Sequence, residues 1–131
     1  MSNQGNVIVV VAGEKIIVTS GRHAGPQTPK ASQDCLREAL RHVPVEAWGH
    51  KEWRPWETFL QELVHLDCME RPIFGLGNED VPTIVVDFDN LTVTWESFSW
   101  GDASRVVGKW PFTDYLKIDM EKNPTVVAEF E

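Results

Sequence analysis

The run Ile84-Val85-Val86-Asp87-Phe88-Asp89-Asn90 closes a hydrophobic stretch with two carboxylates two positions apart. That spacing could hold a divalent cation through oxygen ligands, or divide acid and base roles between Asp87 and Asp89. Glu79-Asp80 is a second carboxylate pair. The same residue types also suit a tight turn, because Asp and Asn accept amide hydrogen bonds from residues just ahead and tolerate turn conformations. The turn is the favoured reading of Asp89-Asn90. Four histidines, His23, His42, His50 and His65, are scattered along the chain, and only His65 and Cys68 stand at a helical i, i+3 spacing. Structural zinc needs four nitrogen or sulfur ligands, and neither Cys-x-x-Cys nor His-x-x-x-His occurs. There is no Gly-x-Ser-x-Gly elbow, and Cys35 and Cys68 fall inside helical patterns, where thiols pack as small hydrophobes. Gly75-Leu76-Gly77-Asn78 runs into Glu79-Asp80, whose charge would repel a phosphate. The residues therefore assign no catalytic group, no metal ligand and no cofactor.

The strand ending in Asp87-Phe88-Asp89 resembles the first motif of haloacid-dehalogenase-type phosphotransferases, over seven residues. The resemblance implies Asp87 as nucleophile and both acids as Mg²⁺ ligands. That family places Thr or Val two residues past its second Asp and needs a Lys and further acids well downstream of a parallel strand. Here Leu91 stands at that position and 42 residues follow Asp89.

Six tryptophans are present. Trp56 and Trp95 lie in apolar periodicity and read as core, whereas Trp48, Trp53, Trp100 and Trp110 lie in or beside loops, where a large aromatic can anchor a partner. The net charge is −8, and residues 79–131 alone carry 11 acids against 4 bases. Such a surface repels phosphate backbones and steers basic proteins, which argues against direct nucleic-acid binding. The expected contact comprises Glu79, Asp80, Glu96, Trp100, Asp102 and Trp110.

These residues must be positioned by elements that the apolar spacing outlines. Val7–Val11 and Ile16–Thr19, split by Ala12-Gly13-Glu14-Lys15, read as a hairpin, with the uniformly apolar first strand central or covered on both faces. Thr28 as N-cap and Pro29 at the first helical position open a helix whose face carries Ala31, Cys35, Leu36, Ala39, Leu40 and Val43, and which Pro44 stops. Pro55 opens a second helix, expected to run to about Met69 with Trp56, Phe59, Leu60, Leu63 and Val64 inward. The period then changes to two: Ile84, Val86 and Phe88, then Leu91, Val93 and Trp95, form a second hairpin. Val106–Trp110 suits another strand, Thr113–Lys122 a short helix or turn, and Thr125–Phe130 a last strand. The order is β-β-α-α-β-β-(β)-(α)-β, an α+β fold whose mostly antiparallel sheet carries two principal helices on one face.

At 131 residues, with 42% hydrophobic and 24% charged residues, the chain fits one domain, residues 1–131, that folds without staples. It carries no basic leader followed by a long apolar run and no apolar stretch near the ~20 residues that span a bilayer. The expectations are a cytoplasmic protein that does not bind membrane, with Cys35 and Cys68 reduced. The profile of a small, acidic, Trp-rich, motif-free domain is similar in general character to bacterial immunity proteins and phage-encoded inhibitors. A small protein-binding protein that neutralises a basic partner, such as a toxin or nuclease, is thus the expected function, rather than an enzyme. The alternatives are a small-ligand-binding or oligomeric assembly module and a carboxylate-dependent enzyme.

Overall fold

The structure is a computed structural model, and it describes residues 5–19, 25–49, 52–66, 82–97 and 105–123. Strands β1 (Asn6–Val11) and β2 (Glu14–Thr19) precede helices α1 (Thr28–Leu40) and α2 (Pro55–Val64); β3 (Thr83–Asp87), β4 (Thr92–Ser97), β5 (Arg105–Pro111) and the single turn α3 (Phe112–Tyr115) follow. The five strands form one sheet in the order β2-β1-β3-β4-β5. Three of the neighbouring pairs are antiparallel, but β1 and β3 run parallel, with Val7 opposite Ile84 and Val9 opposite Val86. The α+β class and the predominance of antiparallel pairing agree with the sequence. The sheet is nonetheless mixed, because the two-helix crossover returns the chain beside β1 in the same direction, as parallel neighbours require.

The pairing register places Val7, Val9, Val18, Ile84, Val86, Val93 and Trp95 on one face, and all seven are fully buried. Leu36 and Leu40 from α1, and Phe59 and Leu63 from α2, complete this core. Each such side chain contributes about 1.5–3 kcal/mol relative to exposure. Strand β1 is flanked on both sides, as its composition suggested, with Ile8 and Val10 half-buried on the opposite face.

Local boundaries depart from the sequence pattern. Helix α1 begins one residue earlier than expected, because a 3₁₀ turn at Gly25–Gln27 leads straight into it; Thr28 is inside the first turn, and Gln27 occupies the cap position without a side-chain cap bond. The buried Thr28 hydroxyl has no hydrogen-bond partner among the described residues. A Cβ on Gly5 would sit 2.7 Å from that hydroxyl, so glycine is required there by close approach. Helix α1 ends at Leu40 instead of reaching Val43, tightened by Val43 N–H donating to the Leu40 carbonyl at 3.1 Å. Helix α2 stops at Val64, five residues short of Met69, where Leu66 N–H turns back to the Leu63 carbonyl at 3.2 Å. Phe88 and Leu91, which alternation assigned to strands, belong to the β3–β4 turn, and Leu91 adopts a positive φ of 57°. The strand expected over Val106–Trp110 is present as β5, whereas of the stretch Thr113–Lys122, expected as a short helix or turn, only the first three residues are helical, in α3, and turns follow. Cys35 is a buried thiol in α1; Cys68 and the last strand, Thr125–Phe130, lie outside the described residues. Among the described residues no helix is long and apolar enough to cross a membrane.

A buried polar chain ties α1 to the C-terminal half. Trp95 Nε1 donates to the Tyr115 hydroxyl at 3.2 Å, that hydroxyl meets Ser32 Oγ at 2.6 Å, and Ser32 Oγ donates to the Pro29 carbonyl at 2.7 Å. Because the indole only donates and the carbonyl only accepts, the protons must all point the same way, from Trp95 through Tyr115 and Ser32 to Pro29. Burial pushes the Tyr115 phenol well above the ordinary tyrosine range, and the bonds from Ser32 and Trp95 only partly oppose it. Gln33 Nε2 adds bonds to the carbonyls of Tyr115 and Ile118 at 3.0 and 2.7 Å.

Candidate partner-binding cleft

The two carboxylates that first drew attention serve the backbone. Asp87 Oδ1 accepts the amides of Asp89 and Asn90, each at 2.9 Å, and its Oδ2 accepts Asn90 Nδ2 at 2.9 Å. Asp89 reaches across to the β1–β2 turn, where Oδ1 accepts the Ala12 amide at 2.7 Å and Oδ2 the Gly13 amide at 2.9 Å. Every carboxylate oxygen of the pair therefore has a donor within the fold, in support of the turn reading. Among the described residues, no three of His, Cys, Asp and Glu are grouped as metal ligands would be.

The Asp89 bridge defines one end of the molecule. Strands β1 and β3 are parallel neighbours, yet β1 leads into a hairpin on one side and β3 into a hairpin on the other. Diverging connections at the carboxyl ends of adjacent parallel strands leave a crevice between them, the position at which open sheets commonly bind ligands. Here the crevice is lined by Val11, Ala12 and Phe88 at the strand ends and by Gly49, Arg54 and Pro55 ahead of and at the start of α2. Trp48 and Trp56 line it, Arg54 and Asp89 stand at it, and its volume is about 270 Å³.

Each wall has a local cause. Trp48 follows a short 3₁₀ turn at Val45–Ala47; its indole donates to the Val43 carbonyl at 3.0 Å, and its ring lies 6.2 Å from Phe112. Phe88 is held between Phe59 at 5.9 Å and Phe112 at 5.2 Å, the latter edge to face. Pro55 starts α2, and the preceding Arg54 has a left-handed backbone with φ 44°. Ala12 has φ 51°, so two of the three non-glycine residues with positive φ among the described residues line this one cleft. Such conformations cost roughly 1–3 kcal/mol each and concentrate where function holds them. The Arg54 guanidinium lies 3.6 Å from Glu57. Immediately before Arg54, Trp53 is 53% exposed, the largest of the exposed hydrophobic side chains among the described residues.

A second, wider cleft of about 580 Å³ lies along α1, with Lys30, Asp34 and Glu38 on its wall and Ala31 and Cys35 beneath. Lys30 and Arg37 both pair with Asp34 along α1, at 3.3 and 3.2 Å. Glu62 and Leu66 also line the cleft. Larger volume does not make it the better site, because its described lining brings charged groups from α1 and α2 together but includes no aromatic side chain.

Of the residues singled out from the sequence, Glu79, Asp80, Trp100 and Asp102 lie outside the described residues. The structure places Glu96 on β4, half-buried, and Trp110 on β5, half-buried with its ring 4.9 Å from Trp95 and 5.8 Å from Tyr115. Trp110 is opposite Val93 and so shares the core face, whereas Glu96, next to Trp95, points to the other face. These two residues do not converge. Trp48 and Trp53, both loop residues in sequence, separate sharply: Trp48 is 8% exposed and Trp53 53%. The cleft itself was not anticipated, and the Trp48-to-Trp56 clustering of aromatics was the signal for it. No known family model, curated protein or solved structure matches the chain.

Proposed function

We propose that this protein acts by binding another protein, as a small acidic inhibitor or immunity-type protein that neutralises a basic partner such as a toxin or nuclease. The observation that carries the reading is Trp53, more than half exposed beside an aromatic cleft formed by several elements. An indole costs about 1.5–3 kcal/mol or more to leave in water, and exposed aromatics of this size are the commonest anchors of protein interfaces. The net charge of −8 supplies the attraction that would speed encounter with a basic surface. Trp53, instead of Trp110, is the anchor on this reading, since the Trp110 ring already packs on Trp95 and Tyr115.

The test is capture from the native host with the wild-type chain and Trp53→Ala side by side, followed by measured affinity for the purified partner at low and physiological salt. A basic partner whose affinity falls by at least ~30-fold in Trp53→Ala, and whose association slows with salt, supports the reading. Capture of nothing, or of a partner indifferent to both changes, removes it. A small-ligand module is the second reading, favoured by the 580 Å³ cleft along α1, a volume in the usual range for small molecules. It gains ground if metabolites raise the melting temperature while no protein is captured.

A further inference from the structure

We infer that strand β2 pairs with the β2 strand of a second copy of this chain, antiparallel and centred on Ile17, so that two sheets become one. The inference goes beyond the protein-binding reading and does not rest on it.

The outward edge of β2 follows from its neighbours. Asn6 N–H donates to the Pro82 carbonyl and Phe88 N–H to the Val10 carbonyl, each at 2.9 Å, so Asn6 and Val10 turn their peptide groups towards β3. Val7, Val9 and Val11 then bond to β2, where they stand opposite Val18, Ile16 and Glu14. The two-residue turn Ala12-Gly13 sets the same phase, because the residues flanking such a turn form a hydrogen-bonded pair. Lys15, Ile17 and Thr19 therefore aim their N–H and C=O groups away from the sheet, and among the described residues nothing bonds to those groups.

Exposed strand edges are ordinarily interrupted. The sheet's other edge is: β5 pairs across a bulge opposite Trp95 and Glu96 and ends at Pro111. β2 instead keeps an unbroken register from Glu14 to Thr19, contains neither proline nor glycine, and carries Ile16-Ile17-Val18 in succession.

A second copy is the occupant that suits this edge. A two-fold axis through Ile17 sets Ile17 opposite itself and Lys15 opposite Thr19 of the second copy, so each outward N–H meets a carbonyl. On the face away from the buried core, Val85, Ile8 and Ile17 are cross-strand neighbours, and the axis joins this row to the same row of the second copy. The two Lys15 residues stand about 14 Å apart at ~3.4 Å per residue, beyond the ~8 Å Debye length at physiological salt. Charge favours the same edge. Residues 1–78 hold 9 acids and 8 bases, whereas residues 79–131 hold 11 and 4. Strands β4 and β5, from the acidic part, are farthest from β2, so two chains at −8 each meet at their nearly neutral sides.

One pair of short strands buries less than the ~1,200 Å² of a standard interface, so the dimer is weak, with half-association at roughly 10–100 µM. Sedimentation and amide hydrogen exchange of the full chain, between about 10 µM and about 1 mM, test it. The mean mass should rise towards twice that of one chain. The amides of Lys15, Ile17 and Thr19 should exchange at least about threefold more slowly at the higher concentration, while Glu14, Ile16 and Val18, already bonded to β1, change little. Lys15→Pro removes an N–H without a partner in the monomer, as edge strands permit. It should leave the melting curve of dilute protein near wild type and weaken dimerisation at least about tenfold. Ile17→Lys sets like charges opposite each other on the axis and should weaken it comparably. A monomer at every concentration overturns the inference. So does a dimer that both substitutions leave intact, or full protection of the three amides at the lowest concentration, which places their partner within one chain. Should either variant fail to fold, the exchange pattern of the wild type decides alone.

Discussion

The carboxylate of Asp89 accepts the amide of Ala12 at 2.7 Å across 77 residues of sequence, joining the turns of two hairpins that pair only through the parallel β1–β3 ladder. Hydrogen bonds to a charged acceptor contribute about 1.5–3 kcal/mol, reduced here because the pair is exposed. Asp89→Ala should therefore destabilise the fold by about 1–2 kcal/mol in urea titrations. A change below ~0.5 kcal/mol would mean that solvent replaces the carboxylate without loss.

The β1–β2 turn has alanine where the backbone favours another residue. Ala12 at φ 51° and Gly13 at φ 76° are both left-handed, the conformation of a two-residue turn that prefers Asn-Gly. Ala12→Asn should raise stability by about 0.5–1 kcal/mol, and Gly13→Ala should lower it by at least that much. Thermal melts of the two variants should move in opposite directions.

Gly108 stands opposite Trp95 on β5, and the benzo ring of Trp110 occupies the place its side chain would take. Gly108→Ala should push the Trp110 ring off Trp95 and Tyr115 and cost about 1–3 kcal/mol. The change should be visible as altered near-ultraviolet circular dichroism. An unchanged spectrum and melting point would show that the ring moves aside freely.

Tyr115 is the protein's sole tyrosine, so its ionisation can be followed by phenolate absorbance without overlap from another residue. Burial raises its folded value above the unfolded one near 10. The contribution is fully present below pH 10 and is lost as pH rises towards the folded value, because the unfolded chain releases the proton first. Stability should therefore fall by about 1.4 kcal/mol per pH unit above 10 from this group. Tyr115→Phe should remove that slope, at a cost of about 1–3 kcal/mol at neutral pH from loss of the hydroxyl's bonds to Trp95 Nε1 and Ser32 Oγ.

Much of this architecture was legible in residue spacing, and the misses have physical causes. The β1–β2 hairpin, α1 and the β3–β4 pair are local structures whose apolar period and turn residues lie within about 20 positions. The parallel β1–β3 pairing has no local signature, since Val7–Val11 and Ile84–Val86 would look the same beside any neighbour. Leu91 read as a strand residue because alternation describes side chains and not the sign of φ. The burial of Trp48 is set by Val43 and Phe112, one near and one remote in sequence, so a loop position alone could not distinguish it from Trp53. Asp89-Asn90 was read as a turn from residue type, but the reach of Asp89 to Ala12 and Gly13 depends on the pairing that sequence hides.

The parallel pair also sets an order of events during folding. Val7–Val11 can pair with β2 as soon as residue 19 is made, but its other edge must wait for Thr83–Asp87. Until then a strand that is apolar from Val7 to Val11 presents unsatisfied amides and carbonyls to any neighbouring chain, the kind of edge that templates aggregation. Pairing across so wide a separation is slow, because loop closure precedes any reward from contact. The nascent chain is thus most vulnerable while α1 and α2 are complete and β3 is not, and that interval ends when β3 docks and brings Asp89 to the turn made at Ala12 and Gly13.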